Sequence, residues 1–252
     1  MSGHSKWHSI KHKKGAADAK RGKIFTRHAA LISIAARNGG DPEMNPALRL
    51  AIDNAKKDNV PSANIDKAIK RGTGEDKDAA QIEEVSYEGY GPGGVAVIVE
   101  CLTDNKNRSY TNIRVIFNKH GGNLGTSGSV AWMFDRKGII SIDLKGIEAD
   151  NLELAAIDAG ATDIEREKDL MHIYTDPHQL HAIDQKMKAA GYKPEKAEAQ
   201  LVPNQTVKIE DESTARKILN FMEALDDDQD VSDVSGNFDI SDEMMDNINM
   251  PQ

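Results

Sequence analysis

Between residues 138 and 202 the hydrophobic pattern changes period in an order that few folds accept. Ile139–Leu144 reads as a strand, 149–159 as a helix, 163–168 and 170–175 as strands, 177–190 as a helix and 196–202 as a strand. A strand repeats every second residue and a helix every three to four, so neither pattern serves for the other without turning its apolar side chains outward. The order βαββαβ is that of a ferredoxin-like unit. The flanking segments make a similar set when joined across it. Strand 95–101, helix 106–120 and strand 129–134 precede the unit; strand 205–209, helix 212–225 and strand 231–237 follow it. The expectation is a discontinuous α+β domain, residues 76–136 plus 203–240, with a ferredoxin-like domain, 137–202, inserted into it.

The first 75 residues read differently. Phe25, Ala29, Ile32 and Ala36 form an apolar stripe on a helix over 18–38, ended by Asn38-Gly39-Gly40. Lys20, Lys23 and Arg27 fall roughly opposite that stripe. A second helix starts at Asn45-Pro46, with Asn45 suited to the N-cap and Pro46 to the first helical position. Its apolar face is Leu48, Ala51, Ile52 and Ala55, and Asn59 and Pro61 stop it. A third helix, about 63–71, buries Ile65, Ala68 and Ile69 and turns Lys67, Lys70 and Arg71 outward. The fold class expected is therefore α+β: an N-terminal helical bundle (1–75), followed by two ferredoxin-like α+β domains, one inserted in the other.

Charge divides at the same place. Residues 1–74 carry 15 Lys/Arg against 6 Asp/Glu, net +9, and residues 75–252 carry 17 against 35, net -18. The first 27 residues hold Lys6, Lys11, Lys13, Lys14, Lys20, Arg21, Lys23 and Arg27 against one acid, Asp18. Clustered Lys and Arg neutralise phosphates and release counterions, which points to nucleic acid as the partner. Trp7, His8 and His12 stand among these cations and suit stacking or phosphate hydrogen bonds; Trp7 suits packing on the bundle equally well. From Asp226 to Gln252 there are nine acids and no Lys or Arg. This stretch reads as a solvated or frayed tail, with competition for the basic N-terminal face as the functional alternative, and residues 241–252 are set apart as an acidic tail.

Other chemistries find little support. Gly122-x-x-Gly125-x-x-Gly128 follows a helix and precedes a strand, the reverse of a dinucleotide loop, and no Gly-Lys-Ser/Thr is present, so it reads as a turn and no cofactor is expected. His4, His8 and His12, and His178-x-x-His181 near Asp184, lack a zinc spacing. Asp226-x-Asp228-x-Asp230 opens like a calcium loop but has Val231 and Asn237 at the diagnostic sixth and twelfth places. No Gly-x-Ser-x-Gly elbow occurs, and Cys101 ends a buried strand as a small hydrophobe, so no enzyme and no catalytic residues are expected. One cysteine and no apolar run of transmembrane length suit a cytoplasmic protein without membrane partner.

Several stretches resemble the YebC/PmpR family. They are Gly3-His-Ser-Lys-Trp7, Ile10-Lys-His12, Ala19–Thr26, Asn64-Ile65 with Ala68–Gly74, Tyr87–Gly94, Thr103–Arg108, and Asn123–Gly125 with Gly128–Phe134. His8 and His28-Ala29-Ala30 depart from the family pattern. The resemblance implies three domains, one helical and two α+β, and a DNA-binding transcriptional regulator. As the alternative it implies a ribosome-associated translation factor, since mitochondrial relatives activate translation of cytochrome c oxidase subunit I and bacterial ones act on ribosomes stalled at proline-rich sequences. Both put nucleic acid, DNA or ribosomal RNA, on the basic face. Its expected contacts are Lys6, Trp7, Lys11, Lys13, Lys14, Lys20, Arg21, Lys23, Arg27, Lys67, Lys70 and Arg71. Phosphate contacts position a protein without reading sequence, and no element stands out as a major-groove reader.

Overall fold

The computed structural model describes residues 18–76, 78–167 and 169–249, the side chains of 18–21, 242, 246 and 249 excepted. Three helices come first: α1 (Asp18–Ala35, continued by a 3-10 turn at Ala36–Asn38), α2 (Pro46–Lys57) and α3 (Ser62–Thr73). Their apolar faces meet in a core of Ile32, Ala36, Leu48, Ile52, Ile65 and Ala68, with Phe25 and Ala29 packed against it. Asn45 caps α2 as its side chain suggests, accepting from Leu48 N at 3.1 Å. The Asn45 amide also donates to Ala35 O (2.8 Å) and Gly39 O (2.9 Å), so one residue closes the first helix and opens the second. His28 is buried and meets Asp58 Oδ2 at 2.6 Å, which ties α1 to the end of α2. That contact gives the departure at position 28 a local structural role.

The crossing of α1 and α3 is set by Gly72. A Cβ there would fall on the Ser33 carbonyl oxygen and 2.7 Å from Ala36 Cβ, contacts that backbone cannot relieve. Ser33 Oγ reinforces the crossing by donating to Ala68 O at 2.9 Å. Gly72→Ala is expected to lower stability by about 1–3 kcal/mol, the usual range for overpacking. Calorimetry would read this as a fall in melting temperature of a few degrees, and an unchanged Tm would contradict the close approach.

The chain continues with β1 (Glu83–Tyr90), β2 (Ala96–Thr103), α4 (Lys106–Lys119) and β3 (Asn123–Leu124). Next come β4 (Phe134–Asp143), α5 (Ala149–Ala159), β5 (Asp163–Arg166), β6 (Leu170–Thr175), α6 (Leu180–Ala189) and β7 (Lys196–Pro203). The sheet order of this second set is β5-β6-β4-β7, or 2-3-1-4 within the set, as the ferredoxin-like pattern requires. β4 pairs antiparallel with β6, and β5 with β6. Ile140, Ile142, Leu152, Met171, Ile173 and Ile183 form its core.

The last elements are β8 (Val207–Lys208), α7 (Glu212–Asp226), β9 (Val231–Gly236), β10 (Phe238–Asp239) and α8 (Asp242–Asn249). β9 returns to pair with β2, giving an antiparallel sheet of order β3-β1-β2-β9. Helices α4 and α7 lie together on it, locked by an edge-to-face contact of Phe117 and Phe221 with centroids 4.9 Å apart.

Two expected strands are corrected here. Residues 131–133 form a 3-10 turn, and the strand expected at 129–134 begins only at Phe134, as part of the other sheet. The strand expected at 205–209 shrinks to Val207–Lys208, which pairs in parallel with β10 outside the four-stranded sheet. Its place beside β2 is taken by β1, from the opposite end of the domain. The segment expected to be an acidic tail forms α8, with Met245 buried in the core beside Phe238 and Ile240. Cutting the chain at Asp226 would also remove β9, so truncation there cannot isolate a competing tail.

The described residues fall into two compact units. One joins 24–79 to 136–201; the other joins residues up to 23 to 80–135 and 202 onward. Within the first, α2 is fastened to the inserted sheet: Asn54 Nδ2 donates to Ala197 O (2.7 Å) and Lys57 Nζ to Pro194 O (2.8 Å). Leu50 packs on the core of that sheet.

Candidate nucleic-acid interface

Lys6, Trp7, Lys11, Lys13 and Lys14 lie outside the described residues. Lys20 and Arg21 lie on α1, whose first four side chains are not described. The remaining cations divide sharply. Lys23 is half-buried, its ammonium nitrogen shielded from solvent, and its charge tempers the upward push that burial gives the Cys101 thiol. Arg27 is only 21% exposed and faces Glu198 Oε2 at 3.7 Å. The face of α1 opposite its apolar stripe is therefore covered too at these positions, because the helix is packed on more than one side. Lys67 and Lys70 are exposed and Arg71 is half-buried.

The Gly72 crossing brings the C-terminal ends of α1 and α3 together. Lys70 and Arg71 occupy the last turn of α3, and Arg37, which is exposed, the turn that ends α1. Cations there complement the negative ends of both helix dipoles. Arg37 escaped the sequence reading because it stands alone beside Asn38-Gly39-Gly40; its nearness to Lys70 and Arg71 is a product of the crossing.

The other motifs act within the protein. Asp228 and Asp230, of the calcium-like run, accept from side chains: Arg108 reaches Asp230 through Nε (2.9 Å) and Nη2 (2.6 Å), Ser109 Oγ donates to Asp230 at 2.9 Å, and Asn112 Nδ2 to Asp228 at 2.9 Å. Asp184, near His178 and His181, pairs with Lys188 at 2.6 Å. Among the described residues no group of three or more His, Cys, Asp or Glu is placed to hold a metal ion. Ser141 and His172 meet at 3.0 Å as a directly opposed cross-strand pair, with Glu167 at 3.6 Å from the far ring nitrogen. Both His172 and that carboxylate are largely shielded from solvent.

Known protein families agree with this architecture. The TACO1/YebC protein N-terminal domain matches residues 5–75, and the TACO1/YebC second and third domain matches residues 82–238. The chain belongs to the TACO1/YebC family. A "probable transcriptional regulatory protein" of Rubrobacter xylanophilus is 51% identical over 246 residues, covering 97% of this chain and 98% of the relative. One of the same description from Halothermothrix orenii is 49% identical over 251 residues, covering 98% and 99%. The crystal structure of a conserved hypothetical protein from Aquifex aeolicus superimposes with a TM-score of 0.86 at 45% identity, over 92% of this chain and 96% of that one.

Within this TACO1/YebC chain, the most specific family stretches build loops and helix starts. In Thr103–Arg108, Asn105 caps α4 by accepting from Arg108 N (3.0 Å), and Arg108 binds Asp104 as well as Asp230. Glu88, from Tyr87–Gly94, accepts from Gly128 N (2.7 Å), Val130 N (2.9 Å) and Ala131 N (2.8 Å), the backbone of the Gly128–Phe134 stretch. Two motifs far apart in sequence are thus halves of one loop anchor.

Proposed function

We propose that this chain is a nucleic-acid-binding regulatory protein, and more narrowly a DNA-binding transcriptional regulator acting in the cytoplasm by binding rather than by catalysis. The observation that carries the reading is the convergence of Arg37, Lys70 and Arg71 at one end of the helical domain, with Lys67 a turn back, on the segment that holds the chain's positive charge. The names of its relatives agree with regulation of transcription. Lys6, Lys11, Lys13, Lys14, Lys20 and Arg21 extend the same charge toward the N-terminus and are proposed as phosphate contacts. Lys23 and Arg27 are better assigned to holding α1 in place, given their burial and the Glu198 contact.

One observation favours a second reading, a ribosome-associated translation factor bound to ribosomal RNA. The exposed face of α3 sets Lys67 and Lys70 beside Asp66, with small or amide side chains at Ala63 and Asn64. Such a face holds phosphates without an evident means of reading bases, and suits folded RNA as well as duplex DNA. In-cell crosslinking with sequencing of both DNA and RNA distinguishes the two: discrete DNA sites support the first, ribosomal RNA the second.

Lys67→Glu/Lys70→Glu is expected to weaken binding at least about tenfold and to reduce the slope of log K against log salt by roughly two, one for each lost phosphate contact. Anisotropy of a labelled duplex or RNA across a salt series measures both. Wild-type affinity and slope in the double variant would remove α3 from the interface.

A further inference from the structure

The Gly125–Gly128 turn and Trp132 have no part in the basic surface, yet they are built as a rigid, exposed element. Trp132 is 66% exposed. Its indole N–H donates to Ser129 O at 3.3 Å, which satisfies the polar edge of the ring and leaves the exposed area to its apolar faces. Below the loop, Glu88 accepts from Gly128, Val130 and Ala131, the last being the residue before the tryptophan. Ser129 N donates to Thr126 O at 3.1 Å and closes the turn, and Gly128 sits at φ +84, where a side chain is strained. Thr126 and Ser127 hold their hydroxyls at the exposed tip. From the other segment of the domain, Asn204 N donates to Met133 O (2.8 Å) and Asn204 Nδ2 to Trp132 O (3.4 Å), so an exposed amide stands beside the tryptophan.

An exposed tryptophan with a fixed ring is costly to keep in water and marks a contact surface. The groups that hydrogen bonding places around this one are a backbone carbonyl and an amide, in contrast to the packed apolar surroundings typical of a protein–protein anchor. A flat π surface beside donors and acceptors is the chemistry that receives an unpaired base. We propose that Trp132 stacks on an unpaired base of a nucleic-acid strand, with the exposed Thr126 and Ser127 at the tip of the adjoining turn. This site rests on the nucleic-acid reading above and adds to it a demand for single-stranded character that lysine contacts cannot supply.

The chain has two tryptophans, so 5-fluorotryptophan labelling gives two fluorine resonances, and Trp132→Phe identifies the one from Trp132. The probes are a twelve-residue oligouridylate, the matching oligodeoxythymidylate and a duplex of equal length. The expected result is a shift of the Trp132 resonance with a single strand and none with the duplex; the strand that shifts it more names the sugar preferred. Trp132→Ala is expected to lose about tenfold in single-strand affinity, within the range of one base–aromatic stack, while Trp132→Phe retains most of it and duplex affinity stays unchanged. Single-strand binding at full affinity by Trp132→Ala, with the Trp132 resonance unmoved in the wild type, overturns this site and leaves the basic interface standing. A duplex that shifts the resonance equally overturns the claim for an unpaired base. If the intact protein binds none of the three probes, both readings fall.

Discussion

Replacing Glu88 by alanine is expected to lower stability by about 3–5 kcal/mol, because three backbone N–H groups lose one carboxylate at a stroke. Glu88 is buried, and burial alone would push its carboxyl pKa up; the hydrogen bonds from Gly128, Val130 and Ala131 outweigh burial and hold it below the usual value of 4.5. A depressed folded pKa has a definite consequence for pH. The stabilisation is fully present above the unfolded value and disappears as pH falls through the folded one. Glu88→Gln removes the charge and keeps the shape. Its melting temperature should lie well below wild type near neutrality, and the gap should narrow in acid below about pH 4.5, where the wild-type carboxyl also becomes protonated. A gap of constant size from neutral to acid pH would show that the charge contributes nothing. The alanine variant should also loosen the loop that carries Trp132, so Glu88 links stability to the single-strand site.

Arg108→Ala should cost about 3 kcal/mol, since it strips the buried Asp230 of a two-pronged partner and leaves the charge with weaker donors. Arg108 itself is partly exposed, which places the effect toward the lower end of what breaking a buried pair costs. Lysine at this position keeps a charge but cannot reproduce the fork, so Arg108→Lys should recover only part of the loss. Denaturant unfolding of the three proteins measures the series. Equal stability of the alanine and wild-type proteins would mean that Ser109 and the backbone suffice for Asp230. The pair joins the start of α4 to the turn before β9, segments 122 residues apart in sequence with the inserted domain between them. Its loss should therefore open the discontinuous domain at the point where its two halves are joined.

Helices and the inserted unit were legible because their apolar residues follow a period that survives without tertiary knowledge. Asn45-Pro46 marked the start of α2, and the βαββαβ order of 138–202 led to the observed sheet order. β1 was missed for a physical reason. The face toward its helices carries Tyr87 and Gly89, and the second is glycine because the Asn123 carbonyl oxygen and the ring of Phe117 occupy the space a side chain would take. On the other face the buried residue is Glu88, a charge that reads as solvent-exposed until the loop it anchors is seen. An alternation with a glycine on one side and an inward carboxylate on the other has no apolar signal. The strand expected at 129–134 was the converse error: Val130 is buried, but the backbone around it bonds to Glu88 instead of to a neighbouring strand.

The candidate interface divides along the same line. Charge is additive along a sequence, so the net +9 of residues 1–74 and the likeness to the YebC family could be read without coordinates. Whether a given cation faces solvent is not additive; it depends on what else packs against its helix. The helical period points Lys23 and Arg27 away from the core, but the structure buries the ammonium of one and turns the other to Glu198. Lys67 and Lys70 were placed correctly because α3 is covered on one side only in that region. Arg37 joined them only through the Gly72 crossing. By itself, then, the sequence determined the family, the α+β class, the helical periods and the sign of the charge, all of which are written in local or summed properties of the chain. The tertiary structure decided which cations stay exposed, which carboxylate anchors a loop and where an unburied tryptophan stands, because each depends on a contact between residues that the sequence does not place together.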